Sequence, residues 1–250
     1  APHALFLRMT LGERLQHSAL MLSFMVLVIT GFMLRYPDAW WVQGIRHLSD
    51  HAFDSRSLAH RLAAAVMSVA GVAHLVYLAG TRRGREFFRD MLPRRKDVAD
   101  VRANLLHNLG LSHREARFGR FSYMEKMEYW ALVWGTLVMA GTGIVMPFEN
   151  LFISLLTKLG WDISRTIHFY EAWLATLAIL VWHLYYVIFN PEVYPMNTAW
   201  LSGKMAESVM AKEHPLELEA LRAEAAASAK PQAEPEPPAK AEGGGSDRAA

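Results

Sequence analysis

The sequence predicts an all-α integral membrane protein, a bundle of four spanning helices, and three observations lead there. The 250-residue chain is 52% apolar, with a positive mean hydropathy of +0.10. Its apolar residues lie upstream of a tail, from Glu213 onward, that is mostly Ala, Glu, Lys and Pro. Four runs reach the roughly 20 residues that a hydrocarbon core of about 30 Å demands of a helix. A soluble four-helix bundle would show a polar stripe every third or fourth residue, and these runs do not. Composition also removes classes of chemistry. Without cysteine the chain has no disulfides, covalently attached c-type haem, protein-ligated iron–sulfur cluster or thiol catalysis, so hard redox chemistry requires a non-covalent cofactor. A formal net charge of +2 is too small to imply nucleic acid.

The first expected span is Leu15 to Leu34, the second His60 to Ala79, the third Met127 to Met146 and the fourth Ile167 to Phe189. The first, third and fourth hold no Lys or Arg, and Arg61 sits at the extreme end of the second. The first run reads as a span and not a cleaved signal: it follows Arg8, Glu13 and Arg14, is too long, and lacks a small-residue cleavage pattern before Arg35. The loop from Gly80 to Lys126 carries twelve Lys and Arg, whereas the other two loops carry four and two. Basic loops resist translocation, so both termini are expected in the cytoplasm. On the outer side, DAWWVQGIRHLSD and NLFISLLTKLGW read as short interfacial helices, with Trp40, Trp41 and Trp161 at the interface.

In the long basic loop, RRKDVADVRANLLHNLG places Val98, Val101, Leu105 and Leu109 at helical spacing and predicts an amphipathic helix lying on the membrane. Pro191 and Pro195 stop the fourth span. The four-span domain is therefore expected over 1–205. A cytoplasmic helical extension, one or two solvated helices broken at Pro215, follows over 206–229. A disordered tail occupies 230–250, where nothing can be buried to offset chain entropy.

Five histidines fall within the spans: His17, His60, His74, His168 and His183. Ionisable groups are expensive in lipid and are usually functional. At about 100° and 1.5 Å per residue, His60 and His74 return near one face of the second span about 21 Å apart, and His168 and His183 do the same on the fourth. Spacing thus sets His60 beside His168 at the outer level and His74 beside His183 at the inner, where His17 also arrives. Facing imidazoles suit a six-coordinate haem iron, while zinc wants three or four ligands in one tetrahedron, which Glu13, Glu128 and Glu171 do not complete. Gly31, one more turn-multiple along from His17, offers close approach to a flat cofactor, and Gly71, Gly141 and Gly143 are further candidates.

ERLQHSALMLSFMVLVITGFML, the His-rich second and fourth spans, and FGRFSYMEKMEYWALVWGTLVMAGTG resemble the di-haem cytochrome b membrane subunits of formate dehydrogenases, nickel–iron hydrogenases and thiosulfate reductases, over about Leu11 to Lys204. The resemblance implies a four-span bundle with two b haems in the bacterial inner (cytoplasmic) membrane. Such a subunit passes electrons between the quinone pool, menaquinone or ubiquinone, and a periplasmic partner, a multihaem c-type cytochrome or an iron–sulfur subunit. It implies His17 and His183 as ligands of the inner haem and His60 and His168 of the outer. Spacing alone pairs His74 with His183, so His74 stands as the alternate ligand. In FSYMEKM, before the third span, Lys126 agrees with the family's quinone-site stretch, whereas Ser122, Met124 and Glu125 depart from it. The inner surface still offers His74, Glu125, Lys126 and Glu128 for quinone chemistry, which needs a proton acceptor near a haem. Two other readings remain: a quinone-independent transmembrane electron conduit, and a His-lined proton or metal transporter.

Overall fold

The computed structural model describes residues 4–191 and 193–228; the tail expected to be disordered, 230–250, lies outside the described residues. The chain is mostly helical, and three helical stretches are long and apolar enough to cross a membrane: Leu11–Arg35, Asp50–Gly80 and the 67-residue stretch Tyr123–Phe189. A straight helix of that last length would run about 100 Å, so it must turn. It does so by a 3₁₀ turn at Met146–Phe148 and a break at Thr157, whose φ of 64° no β-branched residue adopts inside a helix. That break splits the interfacial helix expected over NLFISLLTKLGW. Its residues after Thr157 belong to the descending helix.

The elements in order are β1 (Leu5–Leu7), α1 (Leu11–Arg35), α2 (Trp40–Leu48), α3 (Asp50–Gly80), α4 (Arg82–Met91), α5 (Arg95–Asn108), α6 (Tyr123–Val145), α7 (Glu149–Leu177), α8 (Ala199–Ser202), β2 (Lys204–Ala206), α9 (Glu207–Glu213) and α10 (Pro215–Ser228). Below α7 the backbone widens into π-helical turns, Ala178–His183 and Tyr185–Phe189. Helix starts follow local chemistry. Thr10 with Glu13 and Ser122 with Glu125 form capping boxes at α1 and α6, each satisfying orphan N–H groups at a helix N-terminus.

The two long hairpins are α1 with α3 and α6 with α7 together with its π-helical continuation. In the first, the Tyr77 hydroxyl donates to Glu13 (2.6 Å), His74 bonds Gln16 (2.8 Å) and His60 bonds Thr30 (3.0 Å). In the second, His183 bonds Glu128 (3.1 Å) and His168 bonds Thr142 (2.9 Å). Polar side chains thus face each other within the hairpins while large apolar ones point outward: Val69 is 68% exposed and Leu137 66%. That inversion suits lipid as the solvent. The expected helix on the basic loop is α5, with Val98 73% exposed on it. It is preceded by α4, a basic helix.

The extension after the fourth run is not simply solvated. β2 pairs antiparallel with β1, Phe6 opposite Met205. Ala199, Met205, Met210 and Leu218 form a buried cluster against Phe6, Val209 and Leu221. His214, 4% exposed, ties this cap together. Its Nδ1 bonds the Gly119 carbonyl (2.8 Å) and its Nε2 faces Nη2 of Arg8 (3.2 Å), while Arg8 also pairs with Glu217 and donates to the Arg120 carbonyl (2.8 Å).

Burial pushes the His214 pKa below its ordinary 6.5, and Arg8 adds to that against the opposing pull of Glu125 and Glu217. A depressed folded pKa means that the unfolded chain takes up the proton first. The stabilisation by neutral His214 is therefore fully present above pH 6.5 and is lost as pH falls through and below that value. Amide exchange at Met205 and Leu216, corrected for intrinsic rates, should speed up between about pH 7.5 and about pH 5 in the native protein and much less in His214→Gln. Equal protection at both ends of that range would refute it.

Candidate haem site

The span histidines occupy two layers of the bundle. In the layer at the α2 end, His60 of α3 and His168 of α7 face each other with ring centroids 6.5 Å apart. Two imidazoles bound to one metal through bonds of about 2 Å, with about 1 Å more from each nitrogen to its ring centre, stand about 6 Å apart. The spacing therefore fits a shared iron. Their orientation is set by a matched device. The Thr30 hydroxyl donates its only proton to the Val26 carbonyl (2.6 Å), and Thr142 does so to Val138 (2.7 Å). Each threonine oxygen can then only accept from the histidine Nδ1–H (3.0 and 2.9 Å). Both rings are held as the Nδ1–H tautomer with the Nε2 lone pair free, the form a metal needs.

The glycine after each threonine is the notch that admits the ring. A Cβ on Gly31 would lie 3.3 Å from Cε1 of His60, and one on Gly143 equally 3.3 Å from Cε1 of His168. Gly71 and Gly141 meet no side chain within 4 Å, so neither notches a histidine ring.

At the terminal end of the bundle, His17 and His183 are electrostatic neighbours across α1 and the π-helical turn. His183 directs Nδ1 at the Glu128 carboxylate (3.1 Å). A carboxylate only accepts, so in the neutral ring Nδ1 carries the proton and Nε2 the lone pair. His17 packs against Trp200 of α8, ring centroids 6.2 Å apart, and its Nδ1 is buried without a partner. His74 lies at this level but is engaged on both sides, Nδ1 with Gln16 (2.8 Å) and Nε2 with the Tyr129 hydroxyl (3.2 Å). It has no lone pair to spare while those bonds hold. Glu125 caps α6 through Ser122 (2.7 and 2.9 Å). Lys126 is buried and ion-paired to both carboxylate oxygens of Asp97 on α5, each at 2.9 Å.

These correspondences are systematic. Gln16, Thr30 and Gly31 on α1 recur as Glu128, Thr142 and Gly143 on α6 at one constant offset, and His60 on α3 recurs as His168 on α7. His183 lies one residue beyond strict repetition of His74, and the π-helical turn Ala178–His183 absorbs that insertion. The hairpins are two copies of one motif in the same orientation. Their symmetry breaks where His17 in the first is matched by Tyr129 in the second.

The donor set fits b-type haem: His60 and His168 face each other across one layer, the Nδ1 atoms of His60, His168 and His183 are occupied by neighbours while that of His17 is orphaned, and glycine notches admit the His60 and His168 rings. Among the described residues no group of three or more His, Cys, Asp or Glu side chains converges on one point as zinc would require. No curated protein matches the chain. The family described as prokaryotic cytochrome b561 matches residues 8–199, a stretch that holds both hairpins and all five span histidines. The chain belongs to the prokaryotic cytochrome b561 family, membrane cytochromes whose b-type haem carries electrons across the membrane.

Proposed function

We propose that the chain is the quinone-reactive, di-haem membrane subunit of a respiratory complex in the bacterial inner membrane, exchanging electrons between the quinone pool and a periplasmic redox protein. In this reading it crosses four times, by α1, α3, α6 and α7 with its π-helical end, and both termini are cytoplasmic. The basic residues of α4 and α5 support that orientation. His60 and His168 hold the outer haem, and His17 and His183 the inner. The observation that carries the assignment is the nitrogen inventory: among the described residues His60, His168 and His183 are hydrogen-bonded through Nδ1 and not through Nε2, whereas both nitrogens of His74 are engaged. Each haem supplies a one-electron couple at its own level of the membrane.

The chain's own residues handle the protons. Gln16 holds Nδ1–H of His74, making Nε2 its basic nitrogen. A quinol hydroxyl that displaces Tyr129 from Nε2 finds a neutral, oriented acceptor there. Glu128, with Oε1 buried and unpaired, is a second acceptor. Glu125 and Lys126 line the approach, anchored by the α6 cap and by Asp97. The periplasmic partner, a multihaem c-type cytochrome or an iron–sulfur subunit, docks at the α2 end, where the chain offers only short connections.

A pyridine haemochrome of the purified protein should show b-type haem, two per chain and extractable by acid acetone, since no Cys is present to tether it. One haem would overturn the two-layer assignment. None would favour the transporter reading of the same imidazoles.

A further inference from the structure

We infer that Arg14 and Arg56 bind the propionates of the inner and outer haem respectively, one arginine for each cofactor; this rests on the di-haem reading above. Arg14 lies three residues before His17 and Arg56 four residues before His60, spacings that put each arginine on the same helix face as its ligand. Because α1 rises from the cytoplasmic side and α3 descends from the outer side, each arginine is displaced from its histidine toward its own membrane surface, by about 4.5 and about 6 Å. A haem's charged edge has to point that way, since carboxylates left at mid-membrane are costly.

Both guanidinium groups are short of partners. Nε of Arg14 and Nε of Arg56 are buried and without a hydrogen bond. Arg56 lies over the Phe53 ring at 3.8 Å and spends Nη1 on the Phe53 carbonyl (2.5 Å). The Arg14 stem packs where α8 ends, 3.2 Å from the place a Cβ on Gly203 would take; Trp200 of the same helix flanks His17.

The internal repeat makes the missing partner conspicuous. At the offset that relates Gln16 to Glu128, Arg14 corresponds to Lys126. Lys126 is also buried, and it is neutralised by Asp97 through two bonds of 2.9 Å. On the side of the bundle that holds Tyr129 and His74, the cation has a protein carboxylate. On the side that holds His17 and His183, its mate Arg14 has none among the described residues. A partly buried cation without an anion is expensive, and a propionate supplies the planar carboxylate that a guanidinium binds through two parallel bonds.

The test is a spectroscopic redox titration of the purified holoprotein, with Arg14→Gln, Arg56→Gln, the charge-retaining Arg14→Lys and Arg56→Lys, and Arg102→Gln as an exposed control. Removing a positive charge favours the ferric haem. Each Gln variant should shift the reduction equilibrium of its own haem about tenfold toward the oxidised form, 59 mV for a one-electron couple. The other haem should not move, and the Lys variants should restore most of the shift. Selective loss of the matching haem from a Gln variant, with retention in the Lys variant, supports the inference equally. Midpoints unchanged in both Gln variants, or Arg56→Gln acting on the inner haem, would overturn it. If the wild-type protein does not contain two haems, the di-haem reading fails instead, which a haem count decides before any variant is titrated.

Discussion

Alanine at His60 or at His168 is expected to remove the same haem and leave the other, whereas alanine at His17 or at His183 removes the second. The effect is the complete loss of one of two low-spin centres, because a bis-imidazole iron cannot stay six-coordinate with one ligand gone. The four variants should therefore fall into two pairs by haem content and electron paramagnetic resonance. The decisive comparison is His17→Ala against His74→Ala. His74 is bonded through both ring nitrogens, so its loss should spare both low-spin signals. If His74→Ala abolishes a signal and His17→Ala does not, then His74 rather than His17 pairs with His183, as spacing alone suggested.

Leucine at His74 is expected to slow quinone-linked turnover by about 10²- to 10⁴-fold, the usual worth of a positioned general base, with both haem spectra retained. The substitution also leaves Gln16 and the Tyr129 hydroxyl without partners, at a cost of about 1–3 kcal/mol. Tyr129→Phe separates the two effects: it breaks the same Nε2 bond but keeps the base, so its turnover should stay near the wild-type rate. Stopped-flow haem reduction by a quinol analogue, measured beside the thermal stability of each variant, reads this out. Unchanged rates in both His74→Leu and Glu125→Gln, with a fall on substitutions around His60 and His168, would move the quinone to the outer face. If no substitution at either end slows quinol oxidation while dithionite reduction is normal, the chain is a quinone-independent conduit.

Much of this protein is a matter of residues adjacent in sequence. Helix starts such as Thr10 with Glu13 and Ser122 with Glu125, the apolar runs, the helix α5, the stop at Pro191 and the break at Pro215 each arise within one or two helical turns, so composition and periodicity are enough to find them. The histidines announce themselves for a similar reason, since lipid makes an ionisable side chain conspicuous wherever it falls.

What an imidazole does is another matter, because that depends on which atom stands opposite it across a hairpin, and the register of two packed helices is not written in either one. Only the tertiary structure sets Thr30 against His60 and Thr142 against His168, committing their Nδ1 atoms, and only it closes both nitrogens of His74. The π-helical turn before His183 escapes a count at a constant 100° per residue, since one inserted residue swings everything beyond it. The same holds for β1 with β2 and for the buried His214, joined through segments about two hundred residues apart. It holds as well for the contrast between Arg14 and Lys126, two cations at matching places in a repeated motif. They differ because only Lys126 meets a carboxylate, Asp97 on α5, a helix that the packing and not the local sequence brings beneath α6.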